Sequence, residues 1–353
     1  MSVTIRDVAR HAGLSLATVS RALNDSGYVS PAARERVQQA AAALGYQPNW
    51  LARGLRGKPS GLVGLIIPDI RILYYTAVAH AVADALRACG SEMDLCVSNE
   101  DPATDLHFLT LLRDKRVDGI IYAHPARGSN SSVVRALAGS GLPIVELNRQ
   151  READLLDAVL ADNERGAHQV TAYLAGLGHR RIGLIVGDPG LGNTGGRVAG
   201  YKRACAEAGL APDPDLVRSG AFTRAHGEAA TRALLALAEP PTALFAGSNR
   251  ILVGVLEVLG REGIRIPADL SLAAFDDAEW LSIWNPPITA VDIAVDEMAR
   301  LAVDLLQRRI AAGGAPHKPV TYVLSTRLIE RESCRRMGTG TGNTERTESH
   351  GAH

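Results

Sequence analysis

Residues 4–24 read TIRDVARHAGLSLATVSRALN. Thr4 and Asp7 make a capping-box pattern that opens one helix, Gly13 ends it, and Ser15 caps a second. In the second helix Val19 and Leu23 lie four apart and face Val8, Ala9, Ala12 and Leu14. Two short helices joined by a glycine-containing turn, with small residues where the backbones cross, form the helix-turn-helix pattern. On the opposite face Ala17 and Arg21 are also four apart, with Leu16 beside them. A guanidinium at Arg21 can bond guanine O6 and N7 together, while Leu16 and Ala17 can pack on a thymine methyl or admit close approach. Thr4, Ser15, Thr18, Ser20 and Asn24 are the shorter polar candidates for the DNA backbone. Taken alone, the same face would also suit a solvated helical hairpin.

The residues that follow favour DNA. Ser30 and Pro31 open a third helix, which runs through Val37, Ala40, Ala41 and Leu44 to Gly45 and completes a three-helix head. Residues 1–60 carry eight Lys/Arg against three Asp/Glu, and the remainder carries 30 against 35, so the zero net charge conceals a basic head on an acidic body. That asymmetry suits a chain that meets a polyanion at one end only.

The chain resembles the LacI/GalR family of bacterial transcription repressors. The resemblance rests on TIRDVARHAGLSLATVSRALN, VSPAARERVQQAAAALGYQPNWLARGL, LADNERGAHQVTAYLAGLGHRRIGLIVG and FDDAEWLSIWNPPIT, and the layout matches from residue 3 to about 331. It implies a repressor that binds double-stranded operator DNA as a homodimer and answers to a small-molecule effector, a sugar, sugar acid or related metabolite. The expected fold is α/β: a helix-turn-helix domain (1–48), a hinge helix and linker (49–60), and a two-lobed periplasmic-binding-protein-like (type I) domain (61–331) with two doubly wound parallel sheets. Lobe 1 is expected over about 61–161 and 291–317, lobe 2 over about 162–290 and 318–331, and 332–353 as a disordered polar tail without leucine heptads. In the hinge, about two turns are too few for a stable isolated helix. The resemblance implies that Asn49, Ala52 and Leu55 contact DNA there, with Leu55 wedged between base steps; Gly54 and Trp50 set this hinge apart.

Within the body, GLVGLII, MDLCVS, DGIIYA and PIVEL, then RIGLIVG, TALFAG and LSLAAF, are continuous apolar runs between helical segments, as expected of parallel strands buried on both faces. Ligands bind beyond the carboxyl ends of such strands. The candidates there are Asp69, Tyr74, Tyr75, His124, Asn148 and Arg149 in the first series, and Arg197, Phe222, Ser248, Asn249 and Asp276 in the second. By family position Arg197 and Asp276 lead, Phe222 stands at an aromatic wall, and Tyr74-Tyr75 stand where relatives stack rings. Two positions depart from the family: Ser248-Asn249-Arg250 replaces a common Asn-Asp, and Asn148 stands where aspartate is common. The cleft is therefore less acidic and suits a sugar acid as well as a neutral sugar.

One competing reading uses Gly190-Leu191-Gly192-Asn193-Thr194-Gly195, a literal GxGxxG after a strand, which would make the chain an NAD-dependent enzyme with a DNA-binding head. Pro189 interrupts that turn, and no second strand ends in Asp or Glu at the required distance, so the glycines read as a flexible loop bringing Arg197 to the cleft. No catalytic motif, cofactor or metal site is expected; His179 reads as structural and Cys89, Cys96, Cys205 and Cys334 as reduced thiols. With no apolar run of membrane length and no signal peptide, a cytoplasmic protein is expected and an exported solute-binding protein is not.

Overall fold

The computed structural model describes residues 3–23, 27–46, 60–125, 130–211 and 213–338. It divides into two units, Met1–Gly61 and Leu62–His353.

The head contains α1 (Ile5–Ala12), α2 (Leu16–Leu23) and α3 (Pro31–Ala43). The Asp7 carboxylate accepts from the Thr4 N–H at 3.0 Å and from its hydroxyl at 2.6 Å. Gly13 takes the left-handed conformation (φ 62°) that closes α1, a backbone shape that only glycine adopts without cost. Ser15 accepts from the Thr18 N–H at 3.1 Å and caps α2, while Ser30 caps α3 ahead of Pro31. Val8, Ala9, Ala12, Val19, Val37 and Ala40 form the buried centre, with Leu14 and Leu23 packed on it. The Arg36 guanidinium donates to the Ala12 carbonyl at 2.5 Å, tying α3 to the carbonyl end of α1.

The body is built on two six-stranded sheets. The first comprises β1 (Leu62–Ile67), β2 (Glu92–Val97), β3 (Gly119–Tyr122), β4 (Ile144–Leu147), β5 (Asp157–Ala161) and an edge strand, β11 (Thr321–Leu324), in the order β11-β5-β4-β3-β1-β2. Its helices are α4 (Leu73–Ala88), α5 (Pro102–Asp114), α6 (Ser131–Gly139) and α12 (Val295–Ala311). The second comprises β6 (Ile182–Val186), β7 (Val217–Ser219), β8 (Ala243–Ala246), β9 (Ser271–Phe275), β10 (Thr289–Ile293) and β12 (Thr326–Ile329), in the order β12-β10-β9-β8-β6-β7. Its helices are α7 (Asn163–Gly176), α8 (Gly192–Glu207), α9 (Arg224–Leu235), α10 (Asn249–Arg261) and the short α11 (Glu279–Ile283). Alternation along β1 shows why the strands read as unbroken apolar runs: Val63, Leu65 and Ile67 enter one core cluster and Leu62 and Ile66 the other. Both faces of the sheet are covered at β1, so this strand is apolar throughout.

Three expectations change. All strand pairs are parallel except β10 with β12, which run antiparallel. The second and third crossings between lobes fall near residues 294 and 325 rather than 291 and 318, because β10 stays in the second sheet to Ile293 and β11 pairs with β5. Asp157 draws β11 into the first sheet by accepting the Val320 N–H at 2.7 Å, while the Ala158 N–H donates to the Val320 carbonyl at 2.9 Å. β11 was hard to read because it is a half-exposed edge. Finally, residues 332–338 are docked on the second sheet rather than forming a disordered tail. The buried Ser333 hydroxyl accepts the Thr289 N–H at 2.9 Å and donates to the Leu272 carbonyl at 2.5 Å, and the Met337 N–H reaches the Leu177 carbonyl at 2.8 Å. The rest of the tail, 339–353, lies outside the described residues.

His179 takes part in this docking, as its structural reading expects. Its Nε2–H donates to the Arg335 carbonyl at 3.1 Å, which leaves Nδ1 to accept from the Thr242 hydroxyl at 2.8 Å. Burial pushes the imidazole below its ordinary value; the Arg335 carbonyl opposes this and the Arg335 charge adds to it. A lowered folded value means that this contribution to stability is complete above about pH 6.5 and is lost as pH falls below it. Thermal melts from about pH 7.5 to 5.5 should therefore fall more steeply for the wild-type protein than for His179→Gln. Parallel curves would contradict the assignment.

Candidate functional site

In the head, the proposed base-contacting residues of α2 lie on its exposed side. Leu16, Ala17 and Arg21 are exposed on α2, opposite buried Val19, and Thr18 and Ser20 are half-buried. The Ser15 and Thr18 hydroxyls are 2.8 Å apart, so both belong to the helix start. Thr4 is exposed at the start of α1. Asn24, Asn49, Ala52 and Leu55 lie outside the described residues, as do Trp50 and Gly54.

In the body the strand-end candidates from both lobes converge. Arg197, one turn into α8, is 2% exposed. Its Nε donates to Asn163 Oδ1 at 2.9 Å, Nη1 donates to the Gly247 carbonyl, and Nη2 approaches Asp276 Oδ1 at 3.4 Å. The guanidinium also lies over Phe275, 3.8 Å from the ring centre. Three of its donors are therefore spent on the protein, which makes Arg197 the centrepiece of lobe 2 as well as a ligand candidate. Burial pushes the Asp276 carboxyl up, with Arg197 pulling it part of the way back, and burial likewise lowers Arg197.

From lobe 1, Arg149 is 3% exposed. It donates to the His124 carbonyl at 2.6 Å and to both oxygens of Glu100, at 3.1 and 2.8 Å. Its Cζ sits 5.8 Å from the Tyr75 ring centre and 5.9 Å from that of Phe222, so this side chain of lobe 1 reaches an aromatic ring of lobe 2. Burial alone would lower Arg149, but Tyr75, Glu100 and Tyr74 outweigh it and raise the group. Asn148 donates to the Tyr75 hydroxyl at 3.1 Å. Tyr74 packs edge-on against Tyr75, 5.1 Å between ring centres, and its hydroxyl reaches Met298 Sδ at 3.6 Å. Burial raises both phenols. Openings of about 680 Å³, beside Tyr74, Asp276 and Trp280, and about 310 Å³, beside Asn148, Asn163 and Asn193, flank this centre.

Backbone strain collects here. Of the five non-glycine residues with positive φ among the described residues, four stand at cleft strand ends: Asn99 (54°), Glu100 (59°), Asn148 (62°) and Asp276 (69°). Such conformations cost about 1–3 kcal/mol each and gather at functional sites. Asn249 supports one of them by donating to the Asp276 carbonyl at 2.6 Å.

Some candidates serve the scaffold instead. The His124 side chain is wholly buried against Tyr122 and bonded to Glu146 Oε1 at 2.5 Å, so only its carbonyl serves the cleft, through Arg149. Ser248 caps α10 by accepting the Ile251 N–H at 3.3 Å. Asp69 is engaged by Arg71 at 2.9 Å; burial would raise it, but Arg71 and the more distant Arg250 hold it below the ordinary carboxylate range. Sequence reasoning missed Glu100, Asn163 and Gly187. A Cβ on Gly187 would fall 2.1 Å from the Phe222 ring, so the absence of a side chain there is what seats that ring. The expected flexible glycine loop is also corrected: Gly192–Gly195 form the first turn of α8. β7 runs Val217–Ser219 and contributes no carboxylate for a nucleotide ribose.

Residues 4–49 match the model of the bacterial regulatory proteins of the lacI family, and residues 171–334 that of the periplasmic binding protein-like domain. The transcriptional regulator DegA of Bacillus subtilis is 31% identical across 84% of this chain and 88% of its own length. The chain belongs to the lacI family. Catabolite control protein A of Priestia megaterium is 33% identical over 87% of this chain and 92% of its own. Among solved structures, the transcriptional regulator CelR in complex with cellobiose covers 94% of this lacI-family chain and 99% of its own at 31% identity, with a TM-score of 0.71. The lac repressor dimer bound to operator and the anti-inducer ONPF shares the fold, with a TM-score of 0.82 at 24% identity over 95% of this chain and 100% of its own. The relatives are transcriptional regulators rather than enzymes, so the dinucleotide reading of the glycine motif is set aside. Among the described residues no helix is long and apolar enough to cross a membrane.

Proposed function

We propose that this lacI-family regulator is a repressor that binds a palindromic operator as a dimer, with affinity set by a sugar or sugar acid held between its two lobes. The observation that carries the ligand half is the convergence of Arg149 and Tyr75 from lobe 1 with Arg197, Phe222 and Asp276 from lobe 2 in one buried, strained cleft. A ligand engaging strand ends of both lobes binds one lobe arrangement better than another, and that difference is the free energy available to change operator affinity. The hinge over 49–60 is the proposed link. Ile283, 83% exposed, and Trp284, 41% exposed, offer apolar surface to a second copy. The site of action is the cytoplasm.

On α2, Arg21 is the direct reader and Thr18 a backbone contact. Arg21→Ala should relax base preference at one operator position, removing about 1–3 kcal/mol of discrimination. Thr18→Ala should weaken binding evenly across sequences. Affinities on a set of single-base operator variants separate the two; even losses from both substitutions would refute the assignment.

A further inference from the structure

We propose that Glu100 competes with the effector's own anionic group for Arg149, and that the ligand is a polyhydroxy acid whose carboxylate takes over this guanidinium. The inference rests on the cleft reading above and names the ligand's class.

A guanidinium as buried as Arg149 must keep a carboxylate, since leaving it unpaired costs far more than exchanging one partner for another. Its present partner is the more exposed of the two: the Glu100 side chain is 28% accessible and the Arg149 side chain 3%. Of the two, Glu100 is therefore the one with access to water. Glu100 is bonded through Nη1 and Nη2, which leaves the Nε edge, and Nε is buried without a hydrogen-bond partner among the described residues. A carboxylate arriving on the Nε and Nη2 edge would satisfy that donor and make the two-pronged bond that guanidinium geometry favours.

The neutral groups describe the rest of the ligand. Asn148 Oδ1, Asn249 Oδ1 and Thr194 Oγ1 are buried without partners at strand ends and at the first turn of α8. Two of these atoms can only accept, so they call for hydroxyl or N–H donors. One carboxylate with several hydroxyls meets the whole set. A neutral sugar would leave the Arg149 Nε edge without an anion.

The test is calorimetric titration of the full chain with D-glucuronate, D-galacturonate and D-gluconate, each beside its neutral counterpart D-glucose, D-galactose or D-glucitol. The wild-type protein, Glu100→Gln and Arg149→Gln are compared, and thermal melts establish that each variant is folded. At least one acid should bind, with its neutral counterpart at least about tenfold weaker. Glu100→Gln should tighten that acid about tenfold by removing the internal competitor, and Arg149→Gln should abolish its binding. Weakened or unchanged affinity in Glu100→Gln, a neutral sugar bound as well as its acid, or no acid bound would each overturn the inference. Operator affinity measured with the same compounds separates the two levels. A neutral sugar that shifts it leaves the ligand-gated repressor standing without this ligand class, whereas no shift with any compound removes support from both.

Discussion

Arg197→Ala is expected to destabilise the body by about 3–5 kcal/mol, the cost typical of removing one partner from a buried charge pair. The guanidinium holds Asn163 at the start of α7, the Gly247 carbonyl at the end of β8 and Asp276 at the end of β9. Alanine would release all three and leave the 7% exposed Asp276 carboxylate without its cation. A melting temperature lower by about 10 °C should result. Lysine would not restore it, because a point charge cannot bond three directions as the planar fork does. Adding Asp276→Asn should recover part of the loss, since the uncompensated charge is then gone and asparagine tolerates the left-handed backbone at that position. A double-mutant cycle would show this as a double variant less damaged than the sum of the single changes; strict additivity would mean that the pair is not coupled. At temperatures where the variant stays folded, it should bind operator but lose its response to effector.

Gly200→Ala should be the second most damaging change. Gly200 lies inside α8, where a Cβ would stand 2.0 Å from the Glu164 carbonyl oxygen and 2.8 Å from the His168 nitrogen, both backbone atoms of α7. Neither atom can swing aside as a flexible side chain can, so the two helices must separate. The expected cost is about 3 kcal/mol, at the upper end of what forced overpacking brings. Because α8 also carries Arg197, the separation should draw the guanidinium off Asn163 and Asp276 and weaken effector binding, although residue 200 faces the α7 backbone. Denaturant unfolding with a parallel effector titration would show both losses together. Loss of stability with effector affinity intact would mean that α8 moves without Arg197.

Different parts of this molecule were legible for different reasons. The head was readable because its elements are signalled locally: Asp7 on the Thr4 N–H, left-handed Gly13, the Ser15 and Ser30 caps, and Val19 on the inward face. The inner strands were readable because burial on both faces demands unbroken apolar runs. β11 and the docked 332–338 segment were not, because their partners are remote: Asp157 for the first, Leu272 and Thr289 for the second. The site shows the same division. Strand ends pointed to Arg149, Arg197 and Asp276, but nothing near Glu100 announces that it faces Arg149, and nothing near Asn163 announces that it anchors Arg197. His124 was placed at the right strand end, yet its ring is committed to Glu146 in the interior. Position along a strand gives access to a cleft, whereas the direction of a side chain is decided by its tertiary partners.

The central claim is that a small molecule in the cleft changes how tightly the head holds its operator. Selection of bound sequences from a randomised duplex library at fixed salt, with and without the sugars and sugar acids above, tests it most directly. A palindrome enriched in one condition and lost in another is the expected result. The same sequences recovered whatever compound is present, or no enrichment in any condition, would contradict it.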